Sequence, residues 1–100
     1  MQNQVRLAGT VVGCEVLRHT PAGVPVLTFT VKHESTQVEG GIPRQVGLEL
    51  DVVAMGDLAQ GMSSLQPGQT VRLAGFLASR SRLSTRVVLH VNQFEIEQRT

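Results

Sequence analysis

The chemically active side chains of this chain are concentrated in one short polar segment near its carboxyl-terminal end. Residues 80–86 contain three arginines, two serines and a threonine around a single leucine. Guanidinium groups bind phosphate oxygens through paired hydrogen bonds and stack on bases, and hydroxyl groups also bond to phosphates. The segment therefore predicts contact with a polyanion rather than catalysis.

The charges of the chain are distributed unevenly, although the net charge is only +1. Positions 58–94 contain no Asp or Glu and four arginines, whereas the first 57 residues carry four basic and six acidic side chains. Eight of the nine basic residues are arginine. Local positive charge of this kind favours an anionic partner that meets one face. The alternative is the ordinary solvated surface of an arginine-rich protein.

No group of residues is spaced for catalysis, and we predict no enzymatic activity, no cofactor and no metal site. The three histidines are dispersed, and the single cysteine, Cys14, lies in an apolar segment where we expect a small core residue. Glu49 and Asp51 share one face of a predicted strand, but a solvated face explains them better than a hydrolase carboxylate pair. Gly40-Gly41 lacks the Lys-Ser/Thr of a phosphate-binding loop.

Length and hydropathy limit the chain to one small domain. One hundred residues, 41% of them hydrophobic, suffice for one core, and we expect a single domain over residues 1–100. No apolar run approaches the ~18 residues of a membrane span, and the first residues show no signal-peptide pattern. We therefore expect a cytoplasmic protein without a disulfide.

The element around which the chain is organised is the first predicted strand, residues 4–16. Its apolar and polar residues alternate with the period of two that is typical of a half-buried strand. Gly9 and Gly13 permit the sharp bends that a strand needs when it belongs to both halves of a small barrel. The sequence of residues 5–9, Val-Arg-Leu-Ala-Gly, returns unchanged at residues 71–75, which predicts a second strand of like construction.

Two more strands are predicted after a turn at residues 19–25, which contains two prolines and a glycine. The first of them places Leu27, Phe29 and Val31 on its core face. The next runs from Arg44 to Met55, and its predicted core face consists of Val46, Leu48, Leu50, Val52 and Ala54. We expect residues 36–43 between these strands to form a mobile loop longer than a tight hairpin needs.

The second half of the chain predicts a short helix and two strands. Leu58, Met62 and Leu65 have helical spacing behind Asp57, the expected N-cap of about two turns of helix. The fourth strand covers residues 70–79 and the fifth covers residues 87–97, with the basic segment between them. A change of apolar parity in the fifth strand predicts a bulge near Asn92-Gln93.

Five strands in this order, with a helix between the third and fourth, predict an all-β, five-stranded Greek-key barrel, the OB-fold. A five-stranded SH3-like barrel is the main alternative, and the position of the helix disfavours it. OB-folds bind oligonucleotides on the face of strands two and three and on the loops that join strands one to two and four to five. The candidate nucleic-acid-binding residues on or beside those elements are Arg18, Lys32, Arg44, Gly47, Arg80, Arg82 and Arg86.

The order and spacing of many residues along nearly the whole chain resemble the family of primosomal replication protein N, PriB, a relative of single-stranded-DNA-binding proteins. The resemblance is carried by Asn3, Leu7, Gly9, Thr10, Val11, the segment Thr20-Pro21-Ala22-Gly23-Val24-Pro25, Phe29, His33, Glu39, Arg44-Gln45, Gly56, Gly68, Gly75-Phe76 and Val88-Leu89-His90.

The resemblance implies a homodimeric, non-enzymatic OB-fold that binds single-stranded DNA and the PriA helicase during DNA replication restart. The family's basic DNA-contacting positions fall on Arg18 and on the arginines of residues 80–86. Two positions that are aromatic in some family members are Ile42 and Gly47 here, and the chain has no Trp or Tyr. Phosphate contacts are therefore expected to outweigh base stacking, and an OB-fold adaptor with little DNA affinity is the competing interpretation.

Overall fold

The strands and the helix of the fold are given by a computed structural model that describes residues 1–97. The predicted domain's last three residues, 98–100, lie outside the described residues. The elements are β1 (Val5–Cys14), β2 (Arg18–His19), β3 (Pro25–Glu39), β4 (Ile42–Met55), α1 (Asp57–Gly61), β5 (Thr70–Ser79) and β6 (Val87–Ile96). The five predicted strands correspond to β1, β3, β4, β5 and β6, and the short strand β2 was not predicted.

The strands close into a barrel because β1 pairs with two neighbours. The sheet order is β1-β5-β6-β4-β3-β2, and β1 also pairs with β3. All pairings are antiparallel except that of β4 with β6, where Val52 lies opposite Leu89 and Val53 lies opposite His90. A closed barrel of five long strands with a helix between β4 and β5 is the OB-fold, which confirms the predicted fold class.

The two copies of the repeated pentapeptide pair with each other. Residues 5–9 run antiparallel to residues 71–75, with Leu7 opposite Leu73 at the centre. The glycine that ends each copy lies where another strand's backbone passes closely. A Cβ at Gly9 would lie 2.8 Å from the Lys32 carbonyl oxygen, and one at Gly75 would overlap the carbonyl group of His90. Both positions therefore require the absence of a side chain.

Bulges bend the strands near the predicted places. In β1 the pairing with β3 skips a residue between Val11 and Gly13. In β6 the pairing with β5 shifts between Gln93 and Val91, which places the bulge at Asn92 and confirms the prediction. The predicted core parity of β6 holds for Leu89 and Val91, but Val87 is 50% exposed.

The connection predicted at residues 36–43 as a mobile loop is instead the end of a long β-hairpin. Strand β3 continues to Glu39 and β4 begins at Ile42, with an unbroken register from Val26 opposite Met55 to Glu39 opposite Ile42. Gly40 and Gly41 have φ angles of 60° and 80°, the pair of positive values that a two-residue hairpin turn requires. Residues 36–43 are exposed, so no apolar alternation marked them as strand. On β4 the predicted core face is correct at Val52 and Ala54 but wrong at Leu48, which is 40% exposed because the outer hairpin extends beyond the core.

The core lies inside the barrel and is closed at one end by the segment around α1. Phe29 is 1% exposed, as predicted, and it belongs to a core cluster that contains apolar residues of every long strand. The helix is shorter than predicted, and its N-cap is Gly56, with φ of 70°, rather than Asp57. Met62 and Leu65 are buried as their spacing predicted. Within residues 1–97, no helix is long and apolar enough to cross a membrane.

Cys14 is exposed, which contradicts its predicted place in the core. Cys14 is the last residue of β1 and has the parity of the exposed residues Arg6, Ala8, Thr10 and Val12 rather than that of the buried Val11. Partial burial, and then the neighbouring Glu15 carboxylate, raise the pKa of the Cys14 thiol. A raised pKa leaves less thiolate at neutral pH, which makes the thiol a weaker nucleophile.

Candidate nucleic-acid interface

A groove of about 700 Å³ crosses the outer surface of β3, β4 and β6. One wall is the segment around β2, which contributes Arg18 and His19, and the opposite wall begins at Arg80. The floor consists of outward-facing residues of the three strands, namely Val26, Thr28, Asp51, Val53, Met55, Val88 and His90. The groove therefore joins the strand face to the two loops that the OB-fold prediction identified.

Local structure fixes both walls of the groove. Arg18 lies on β2, which pairs with β3 through Val26, and the turn after β2 is closed by the Gly23 amide donating to the Thr20 carbonyl at 2.8 Å. On the other side the Arg80 amide donates to the carbonyl of Arg86 at 2.8 Å and closes the base of the basic loop, residues 80–86. Both arginine-bearing segments are therefore tied to the barrel rather than free.

The arginines of the basic loop differ in their electrostatic surroundings. Arg80 approaches the Asp51 carboxylate at 3.5 Å, and that carboxylate also accepts a hydrogen bond from the Thr30 hydroxyl at 3.0 Å. Within residues 1–97, neither Arg82 nor Arg86 forms an ion pair, and both are exposed. The loop thus presents two guanidinium groups to solvent and one that a groove carboxylate already engages.

Arg18 is the basic residue of the opposite wall. It is exposed, and among the described residues it has no ion-pair partner. The nearby Glu15 also lines the groove, so the groove contains two carboxylates as well as two guanidinium groups. The charges that line the groove therefore balance, whereas the basic loop beyond Arg80 is positive because it carries Arg82 and Arg86.

Lys32 and Gly47 lie on the same outer face of the β3–β4 hairpin as Asp51. Lys32 is opposite Glu49 and forms a 3.5 Å ion pair with Glu34, and Glu34 is opposite Gly47. A Cβ built at Gly47 would have no neighbouring atom within 4 Å, and the strand register is regular there. The structure thus excludes a bulge or a close backbone approach as the reason for this glycine.

Arg44 is separated from the other candidate residues. It lies opposite Gln37, on the hairpin face that continues from Leu48 and Leu50 rather than on the face of Lys32 and Gly47. Its guanidinium group forms a 2.7 Å ion pair with Glu39 near the hairpin tip. The structure therefore brings Arg18 and Arg80 together at the groove, with Arg82 and Arg86 on the loop that continues from Arg80, and places Arg44 elsewhere.

The sequence analysis missed an aromatic pair at the end of the groove. The Phe76 ring stacks on the His90 ring with centroids 5.2 Å apart and planes inclined by 6°. His90 lines the groove, and Phe76 is 43% exposed. The sequence contains only a weak signal for this pair, because Phe76 is a single large apolar residue on the face of β5 that also carries Thr70, Arg72 and Ala74.

Comparisons with known proteins agree with this fold. A profile described as "Another single-strand binding protein family" matches residues 3–93. Replication restart protein PriB of Bordetella pertussis is 42% identical over 91 residues, which cover 91% of this chain and 85% of that protein. PriB of Nitrosomonas europaea is 36% identical over 95 residues, covering 95% of this chain and 88% of that protein.

Two kinds of solved structure are similar to this chain. The structure of PriB from Ralstonia solanacearum has a TM-score of 0.87 and 30% identity, and the match covers 98% of this chain and 100% of that chain. The single-stranded DNA binding protein from Thermus aquaticus has a TM-score of 0.77 and 23% identity, over 97% of this chain and 50% of that chain. The second similarity concerns the fold alone.

The barrel topology and the profile match define the class as an OB-fold of the single-strand binding type. Within that class, the chain belongs to the PriB family.

Proposed function

We propose that this protein binds single-stranded DNA as a non-enzymatic accessory factor of the primosome in DNA replication restart, in the cytoplasm. The observation that carries the proposal is the groove on the outer strand face, with Arg18 on one wall and the basic loop continuing from Arg80 on the other. Relatives that match nearly the whole chain are named replication restart proteins.

The proposed mechanism is phosphate binding by arginine at both walls of the groove. Arg82 and Arg86 engage phosphates first, since within residues 1–97 no carboxylate occupies them. Arg80 joins only when a phosphate displaces Asp51, so that carboxylate lowers the net gain of the contact. Binding by such contacts releases counterions and weakens steeply as salt is raised.

We also propose that the protein acts as a homodimer and binds the PriA helicase. An open strand edge supports the dimer: β3 pairs with β1 only from Thr10 onward, and its Lys32 and His33 approach Gly9 and Ala8, so Val5–Leu7 has β5 on one side and no described strand on the other. An exposed edge of this length is a surface on which a second copy can add a strand. Light scattering at micromolar concentration should give twice the monomer mass, and a monomer would refute the dimer.

The experiment that tests DNA binding is a titration of labelled single-stranded DNA at two salt concentrations, with duplex DNA of the same sequence as the control. We expect binding to the single strand that weakens strongly between the two salt concentrations. Absence of binding even at low salt would refute the proposal.

The competing function is an adaptor that contacts the helicase without useful DNA affinity. The carboxylates of Glu15 and Asp51 that line the groove and the absence of Trp and Tyr favour it. The titration distinguishes the two when it is combined with a pull-down with PriA, because the adaptor retains the helicase but fails to bind single-stranded DNA at any salt concentration.

A further inference from the structure

The outer face of the barrel carries one continuous row of side chains that runs from the groove to an exposed aromatic ring. Thr28 lies opposite Val53, Val53 lies opposite His90, and His90 lies opposite Phe76. The row thus crosses four strands, β3, β4, β6 and β5, and its first three members line the groove. Whatever occupies the groove meets the Phe76–His90 stack at its end.

The stack has no strand beyond it. The pairing of β1 with β5 ends where Val5 lies opposite Gly75, and beyond it only the Asn3 side chain bonds to the Leu77 backbone, so no described strand flanks Phe76 on its far side. Phe76 is not a member of the core cluster, and the residue is 43% exposed. A single exposed apolar residue needs no explanation by itself. Two features indicate a binding role for Phe76: it lies at the end of the groove, and its ring is parallel to a second aromatic ring.

We propose that the Phe76–His90 stack is a platform on which a base of single-stranded DNA stacks, an inference that rests on the proposed DNA-binding function. Stacking needs a planar ring that is held in place and accessible, and each ring of this pair holds the other. Arg80 lines the same groove as His90, so a phosphate at Arg80 and a base on the stack belong to one bound strand. The platform supplies base contact in a chain that lacks Trp and Tyr.

The first test compares two oligonucleotides of about 16 positions, the upper range of an OB-fold site: oligothymidine and an abasic strand with the same phosphates. Wild-type protein should bind oligothymidine more tightly than the abasic strand. Phe76→Leu keeps an apolar side chain and removes the ring. We expect it to lose about 5- to 150-fold in affinity for oligothymidine, the range that stacking of one base represents, with the abasic affinity and the salt dependence unchanged.

The second test uses fluorescence and does not depend on an affinity change. Because the chain has no Trp, Phe76→Trp creates a single fluorophore at the platform. Ser64→Trp is the matched control, since Ser64 is exposed and lies with Pro67 and Ile96, apart from the groove. We expect oligothymidine to quench the fluorescence of Phe76→Trp with the same midpoint as binding, and to leave that of Ser64→Trp unchanged.

The outcomes separate this inference from the function on which it rests. If wild-type protein binds neither oligonucleotide, the proposed function fails and the platform fails with it. If wild-type protein binds both strands equally, and oligothymidine leaves the fluorescence of Phe76→Trp unchanged, DNA binding stands and the platform is refuted. Thermal melting of Phe76→Leu identifies a fold defect, in which case the fluorescence of Phe76→Trp decides.

Discussion

Replacing Arg82 and Arg86 with alanine is the sharpest test of phosphate binding by the basic loop. Both side chains are exposed, and within residues 1–97 neither is committed to a carboxylate. Each can therefore neutralise at most one phosphate. For single strands the slope of log affinity against log salt is about −0.7 per phosphate neutralised, so the double variant should have a slope shallower by about 1.4.

The control for that experiment is Arg44→Ala, which removes one positive charge from the opposite face of the hairpin, where Arg44 is paired with Glu39. Fluorescence anisotropy of a labelled single strand at four or five salt concentrations gives the slope for each protein. We expect the wild-type slope in Arg44→Ala. A double variant with the wild-type slope, or an equal change in Arg44→Ala, would show that the loop is not the phosphate contact.

Three further predictions follow from single contacts. Asp51→Asn keeps an acceptor for Thr30 and releases Arg80, so single-stranded DNA should bind about two- to fivefold tighter at low salt; unchanged anisotropy titrations would contradict this. Gly75→Ala forces a methyl group against the His90 backbone and should cost about 2 kcal/mol, or roughly 8–16 °C in melting temperature, whereas Gly47→Ala should melt like the parent. Gly47→Trp adds a ring on the outer strand face, where space is open, and should tighten DNA binding without changing the salt slope; equal affinity with an unchanged melting temperature would remove Gly47 from the site.

Apolar alternation located most of the strand residues, but it did not show how much of each strand is buried: it placed Leu48 of β4 in the core, although Leu48 is 40% exposed. Leu27, Phe29 and Val31 identified β3 because each enters the core. The same strand continues for several residues into solvent, and the pattern stops there although the strand does not. The hairpin turn did leave a signal, since Gly40-Gly41 is a pair that a two-residue turn favours. Reading that pair as part of a loop, rather than as the whole turn, caused the error.

Two features of the candidate site could be predicted from the sequence: the strand face on which a residue lies, which follows from its parity, and the loops at the ends of the strands. Parity alone already separated Arg44 from Gly47, because three positions along a strand is an odd number. Placing Arg44 with Gly47 ignored that rule. The position of the Phe76–His90 pair beside the groove could not be predicted in this way. It depends on the short parallel pairing of β4 with β6, and no local sequence pattern encodes that pairing.

Positively and negatively charged side chains both line the groove, and their arrangement determines how single-stranded DNA would bind. Of the guanidinium groups in and beside the groove, those without an ion pair within residues 1–97 lie on the basic loop and at Arg18, whereas the Asp51 carboxylate lies on the floor and Glu15 also lines the groove. A phosphate backbone is therefore attracted first to the loop and repelled from the floor, unless its bases, rather than its phosphates, face the strands. That orientation brings the bases toward the row that ends in Phe76. The acidic floor and the aromatic end of the groove thus favour the same orientation of the bound strand, with its phosphates on the arginine walls and its bases over the sheet.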